Sequence, residues 1–141
     1  MKILYTTHNV FLSSTLKNNL VVPKNFKKLP FDKIKNGVLG KKYELSIVLV
    51  GKYRIKNLNK IYRQKEVGTD ILSFPLSKEN GEIFINPQVA KIKAKKFEFT
   101  YENYLLFLVI HGLFHLKGLK HSARMERYEL THYSRYRHRY L

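Results

Sequence analysis

The chain has 141 residues, 44 % of them hydrophobic, which fits one domain, residues 1–141, with one core and leaves little room for a second. Lys and Arg number 27 against 10 Asp and Glu, a net charge of +17, and such an excess favours polyanionic partners, nucleic acid first, over neutral or cationic ones. Cysteine is absent, which excludes disulfides and thiolate metal sites, so any metal must be held by nitrogen or oxygen.

Lys2 to Thr6 reads as a short strand and Phe11 to Leu20 as an amphipathic helix with Phe11, Leu12, Leu16 and Leu20 inward. Val21 to Lys42 carries Pro23, Pro30, Gly37 and Gly40 among lysines and reads as a connection with at most a short helical turn. Leu45 to Val50 is almost continuously apolar and β-branched, the pattern of a strand covered on both faces near the centre of a sheet. A helix over 54–63 follows. Ile71 to Leu76 and Glu82 to Asn86 then form the arms of a hairpin, with Asn80-Gly81 as its turn signal and Pro75 placed at a strand end or edge.

Pro87 suits the first turn of a helix running to about Phe97. Thr100 is placed to cap the next helix, with Glu102 at the positive end of its dipole and Phe99 and Tyr104 as a hydrophobic staple. Gly118 stops that helix, and a last one from about Ser122 grades into a basic aromatic tail over 133–141. The longest apolar run, Tyr104 to Ile110, falls far below the roughly 20 residues that span a bilayer. Residues 1–14 have no secretory signal pattern, so a cytoplasmic protein without a membrane partner is expected. These elements predict an α+β fold: a small mixed β-sheet with a β-hairpin, packed against helices, the central one carrying the histidines.

His111, His115 and His121 stand in the run HGLFHLKGLKH. Residues four apart in a helix are offset by about 40°, so the first two rings share one face. Gly118 readily takes the left-handed conformation that ends a helix, which lets His121 reach back toward them. Three nitrogen ligands leave a fourth tetrahedral position open, the layout of a catalytic zinc site, with one zinc per chain expected and nickel or copper also compatible. One class of metallopeptidases shares this spacing but has a glutamate general base after the first histidine, where this chain has Gly112. Losing such a base typically costs on the order of 10² to 10⁴ in rate, which argues against proteolysis and leaves chemistry on phosphoryl oxygens.

The run HGLFHLKGLKH, preceded by LNKIYR (58–63), TDILSFP (69–75) and GEIFI (81–85), resembles the YbeY family, metal-dependent endoribonucleases of ribosomal RNA maturation. The resemblance covers about residues 45–129. It implies a zinc bound by His111, His115 and His121, a single-stranded RNA substrate, no DNA, and a role at the three-prime end of small-subunit rRNA and in ribosome quality control. It also implies a catalytic groove containing Arg63, whose guanidinium can hold a phosphate bidentately. The chain departs from the family pattern at Lys120, where an acid commonly precedes the last histidine, at Ser122, Ala123 and Arg124, where acids commonly follow it, and at Gly68, where proline is frequent.

Asp70 either orients a ligand histidine or caps the turn before its strand, and Ser73 either fills the strand or faces the cleft. Arg135 and Arg137, interleaved with Tyr133, Tyr136 and Tyr140, have the composition that grips single strands through phosphate contacts and stacking, or form an ordinary basic terminus. His132 and His138 lack a third partner for a second metal. The expectation is a zinc-dependent RNase with His111 and Arg63 catalytic and Asp70, Ser73, Arg135 and Arg137 near the substrate. The alternatives are a non-catalytic rRNA-binding assembly factor with a structural zinc, and a zinc hydrolase of another substrate.

Overall fold

The structure, a computed structural model, describes residues 2–7, 9–17, 22–63 and 69–140. Among the described residues five strands, β1 (Lys2–Thr6), β2 (Val10–Ser14), β3 (Glu44–Leu49), β4 (Ile71–Ser77) and β5 (Asn80–Ile85), form one mixed sheet in the order β1-β2-β3-β5-β4. The outer pairs β1–β2 and β4–β5 are antiparallel, and the inner pairs β2–β3 and β3–β5 are parallel. Among the described residues five α-helices accompany the sheet: α1 (Phe31–Leu39), α2 (Lys52–Arg63), α3 (Pro87–Lys96), α4 (Tyr101–Leu116) and α5 (Ala123–Tyr140). This is the mixed-sheet α+β fold predicted. β3 occupies its centre, as its unbroken apolar run requires.

Two expectations near the N-terminus are overturned. Residues 10–14 form a strand, not the start of a helix over Phe11 to Leu20. Val10 and Leu12 are fully buried, Phe11 is exposed, and the strand pairs in parallel with Leu45 to Leu49 of β3. The apolar spacing of the segment also fits a helix, and the pairing with β3 decides against it. Leu20 lies outside the described residues. The supposed connection over 21–42 contains a 3-10 turn, Lys24–Lys28, and the nine-residue α1. Phe31, Ile34 and Val38 recur at helical spacing and are buried, with Pro30 at the N-cap and Gly40 (φ 94°) at the C-cap. Lys35 is also buried because its Nζ donates to the carbonyls of Gly40 and Lys41, 3.0 Å each.

The hairpin also turns one step earlier than predicted. Lys78 and Glu79 make the turn, while Asn80 and Gly81 already belong to β5. A Cβ at Gly81 would overlap the Tyr43 hydroxyl and Leu116, so close approach of the α4 end, not turn chemistry, demands glycine there. Pro75 does sit on an edge strand, β4.

Helix α4 is buried on most of its circumference, from Tyr104 through Leu116. Thr100 Oγ1 accepts from the Asn103 amide at 3.2 Å, and the Phe99 and Tyr104 rings meet at 5.4 Å, as the cap and staple require. The helix lies on one face of the sheet, and α3, α1 and α5 pack around it. Helix α2 covers the opposite face, where Ile55 and Leu58 join Val48, Val50, Leu72 and Phe84 in a smaller cluster. A Cβ at Gly112 would come within 2.8 Å of Ile83, 3.0 Å of the Ser73 hydroxyl and 3.2 Å of Ile71, so α4 seats directly on β4 and β5.

Gly112→Val therefore overpacks a closed contact. It should destabilise the fold by about 2 kcal/mol or more, read as a lower urea midpoint with unchanged m-value.

Candidate metal centre

The near-total burial of α4 leaves one partly open stripe at i, i+4, i+8 spacing: Phe107, His111 and His115. Gly118 has φ 100° and ends the helix. Its amide donates to the His115 carbonyl at 2.9 Å, and the Leu119 amide donates to that of Phe114 at 3.1 Å. The turned chain delivers His121. The ring centroids of His111 and His115 lie 4.4 Å apart, those of His111 and His121 5.1 Å, and those of His115 and His121 4.8 Å.

One nitrogen from each ring lies within 4.8 Å of the others, so the three residues could together hold a metal ion. The Nε2 atoms of His111 and His115 are 3.0 Å apart, near the separation of about 3.3 Å that tetrahedral Zn–N bonds of roughly 2.0 to 2.1 Å would set. The donor set fits a borderline ion such as zinc.

The fourth participant escaped sequence reasoning. Glu129 of α5, buried at 4 % exposure, lies 2.7 Å from His111 Nδ1. A carboxylate there favours the tautomer with the proton on Nδ1, which leaves the Nε2 lone pair for a cation and fixes the ring. A signal was present. Met125, Glu129, Tyr133 and Tyr136 recur at helical spacing and are all buried, so Glu129 is the one carboxylate on the inward stripe of α5. Lys120 and Arg124, which stand where the family pattern commonly has acids, are exposed. The Phe107 ring stacks on that of His111, centroids 6.2 Å apart. Beside His111 and His121 opens a cleft of about 330 Å³, rimmed by Ser122, Glu126 and Glu129.

Asp70 does not serve the histidines. Its carboxylate accepts from the Tyr104 hydroxyl at 2.8 Å and pairs with Lys93 at 3.4 Å, tying the start of β4 to α3 and α4. Burial, then the bond to Asp70, pushes the Tyr104 phenol well above its ordinary pKa, so it remains a donor. Ser73 is buried, and its hydroxyl points beneath Gly112 instead of toward the cleft. Arg63 is the last residue of α2, and its side chain lies outside the described residues.

The 133–140 segment is the second half of α5, not a loose tail. Tyr133 packs edge-on against Phe99 and Phe107 at 5.7 and 6.0 Å, and Tyr136 is 7 % exposed, so neither offers a ring for stacking. Arg135 and Arg137 are exposed, the latter 5.5 Å over the Tyr133 ring. His132 Nδ1 donates to the Tyr128 carbonyl, 2.9 Å away, and its ring meets Phe114 edge-on. The side chains of His138 and Tyr140 lie outside the described residues.

A family model described as Endoribonuclease YbeY matches residues 17–137. The chain belongs to the YbeY family. It is 43 % identical over 78 residues to the endoribonuclease YbeY of Thermotoga neapolitana, covering 55 % of this chain and 52 % of that one. It is 36 % identical over 98 residues to the endoribonuclease YbeY of Phytoplasma australiense, covering 63 % and 68 %. The matching segment thus spans about half the length of the Thermotoga relative. The solution structure of TM1509 from Thermotoga maritima superposes with a TM-score of 0.63 at 28 % identity, over 89 % of this chain and 87 % of that one. The fold is shared across nearly the whole of both chains.

Replacing Glu129 by alanine removes the partner that orients His111. Metal affinity should fall about 10- to 100-fold in chelator competition, with Glu129→Gln intermediate.

Proposed function

We propose that the chain is a zinc-dependent endoribonuclease specific for single-stranded RNA, acting in the cytoplasm on the three-prime end of small-subunit rRNA and in ribosome quality control. The observation that carries the reading is the convergence of His111, His115 and His121 on one point beside an open cleft, in a member of the YbeY family. A bound zinc would supply a Lewis acid for a phosphoryl oxygen and lower the pKa of a water.

The chain's own residues would do the rest. Glu129 holds the His111 ring and its Nδ1 proton in place, so the ligand face is set before the ion arrives. Arg63 grips the scissile phosphate and offsets charge that grows during cleavage. Exposed Lys117, Lys120, Arg124 and Arg127 surround the histidine turn, with Arg135 and Arg137 farther along α5, and this field draws in a polyanion. Gly112 faces the sheet and presents no group to the cleft, so the position that holds a general base in a peptidase is closed. Three nitrogen donors with His121 exposed leave room for a substrate oxygen, which favours catalysis over a purely structural metal in an assembly factor.

His111→Ala should abolish cleavage of a small-subunit precursor rRNA and lower zinc content while the protein stays folded by circular dichroism. Normal cleavage by that folded variant would sink the catalytic reading. Arg63→Ala should retain zinc and lose about 10²-fold in kcat/KM.

A further inference from the structure

We propose that the cleft between α4 and α5 is a guanine pocket, in which Glu126 reads the Watson–Crick edge of the base beside the scissile phosphate. The proposal rests on the nuclease reading and adds to it a preference for one base.

The cleft runs against the charge of the chain. Lys and Arg number 27 of 141 residues, yet among the described residues none lines the cleft, and its α5 side carries Glu126 and Glu129. A phosphate lodged there would face two carboxylates and no Lys or Arg. Phe107, Met125 and Leu130 supply apolar walls, and Leu130, 56 % exposed, belongs to neither core cluster. The volume of about 330 Å³ stands at the lower end of the about 300–1,000 Å³ usual for small-ligand pockets, room for one planar base.

The two acids differ in what they have left to bind. Glu129 is buried and taken by His111 Nδ1. Glu126 is exposed, and its helix neighbours three and four residues away are Ser122, Ala123, Glu129 and Leu130, none of them basic. Ser122, Glu126 and Leu130 recur every four residues, so they lie along one side of α5, next to the buried line of Met125 and Glu129. The first turn of a helix favours a carboxylate through the dipole, a role indifferent to what enters the cleft.

A carboxylate only accepts, and the four bases offer it different edges. Guanine N1–H and N2–H are adjacent donors that meet both carboxylate oxygens as a fork. Adenine and cytosine set a ring-nitrogen acceptor beside the amino group, and uracil flanks its single N–H with carbonyls, so each brings one donor and one repulsion. The Ser122 hydroxyl accepts from the Met125 amide at 3.2 Å and keeps its own proton, a donor for guanine O6. His111 and His121 form the adjoining wall, so a nucleotide with its base in the cleft brings its phosphate to the histidines. Unpaired RNA can splay such a base out, whereas a duplex hides the same edge in pairing.

Isothermal titration of the zinc-loaded protein with nucleoside monophosphates tests the pocket without cleavage. Guanosine monophosphate should bind about tenfold more tightly than the adenosine, cytidine or uridine compounds, with inosine monophosphate, which lacks the N2 amino group, in between. Glu126→Gln sets an amide N–H against a base donor and should erase that advantage while zinc content stays the same. An oligouridine carrying a single guanosine should be cut about tenfold faster beside the guanosine than at its other bonds, and Glu126→Gln should level the ratio. Equal binding of guanosine and inosine monophosphates overturns the proposal. So does a Glu126→Gln protein that melts earlier yet keeps the guanine preference, which would leave Glu126 to the helix dipole alone. If every bond is cut alike and all the mononucleotides bind alike, the guanine pocket fails and the nuclease reading stands. If guanosine monophosphate is preferred but no RNA is cut, the nuclease reading fails and the pocket stands.

Discussion

The seating of α4 against β4 and β5 is the constraint on which the rest of the molecule depends. At Gly112 the helix backbone comes so near Ile83, Ser73 and Ile71 that no side chain fits between them. With the sheet on one side and α1, α3 and α5 around it, nearly every residue of the helix is buried, and the rotation that buries Gly112 turns Phe107, His111 and His115 outward together. The ligand stripe is thus a by-product of packing: a core-forming helix can expose only one stripe, and two of its three positions are imidazoles.

Geometry alone would leave those rings free to rotate. Phe107 stacks on one side of His111, and Glu129 takes its Nδ1 from α5. A buried carboxylate is costly unless hydrogen-bonded, so the His111 contact also satisfies a group that would otherwise disfavour docking of α5. The Tyr104–Asp70–Lys93 tie does the same one turn and more toward the N-terminus, joining β4, α3 and α4 without touching the histidines. The two acids thus have different work: Glu129 orients His111, and Asp70 fastens the scaffold.

What could be read from the sequence was local. The Thr100 cap, the Phe99–Tyr104 staple, the Gly118 stop and the His111–His115 pair all depend on residues within a turn or two of one another, and each is where the pattern places it. What escaped was decided at long range. Val10 to Ser14 is a strand because β3 lies beside it, although Phe11, Leu12 and Leu16 also fit a helical period. The α1 stripe of Phe31, Ile34 and Val38 was masked by nearby prolines and glycines that in fact sit mostly at its ends. Asp70 and Ser73 look alike in sequence as polar residues beside a motif, and only the tertiary partners separate them from Glu129, whose partner is 18 residues away. Arginine and tyrosine alternating near the C-terminus suggest a nucleic-acid grip, but in a helix that alternation sends Tyr133 and Tyr136 into the core and Arg135 and Arg137 to solvent.

The turn at Gly118 separates the paired imidazoles from the third, and the carboxylate that steadies the first lies on the helix after that turn. An ion bound by the three histidines would therefore be thermodynamically linked to attachment of the C-terminal helix, each strengthening the other by the same factor. Whatever pries that helix away, be it a neighbouring macromolecule or a cut before residue 129, would also loosen an ion held by the three histidines, so a surface remote from the cleft would govern occupancy of the cluster.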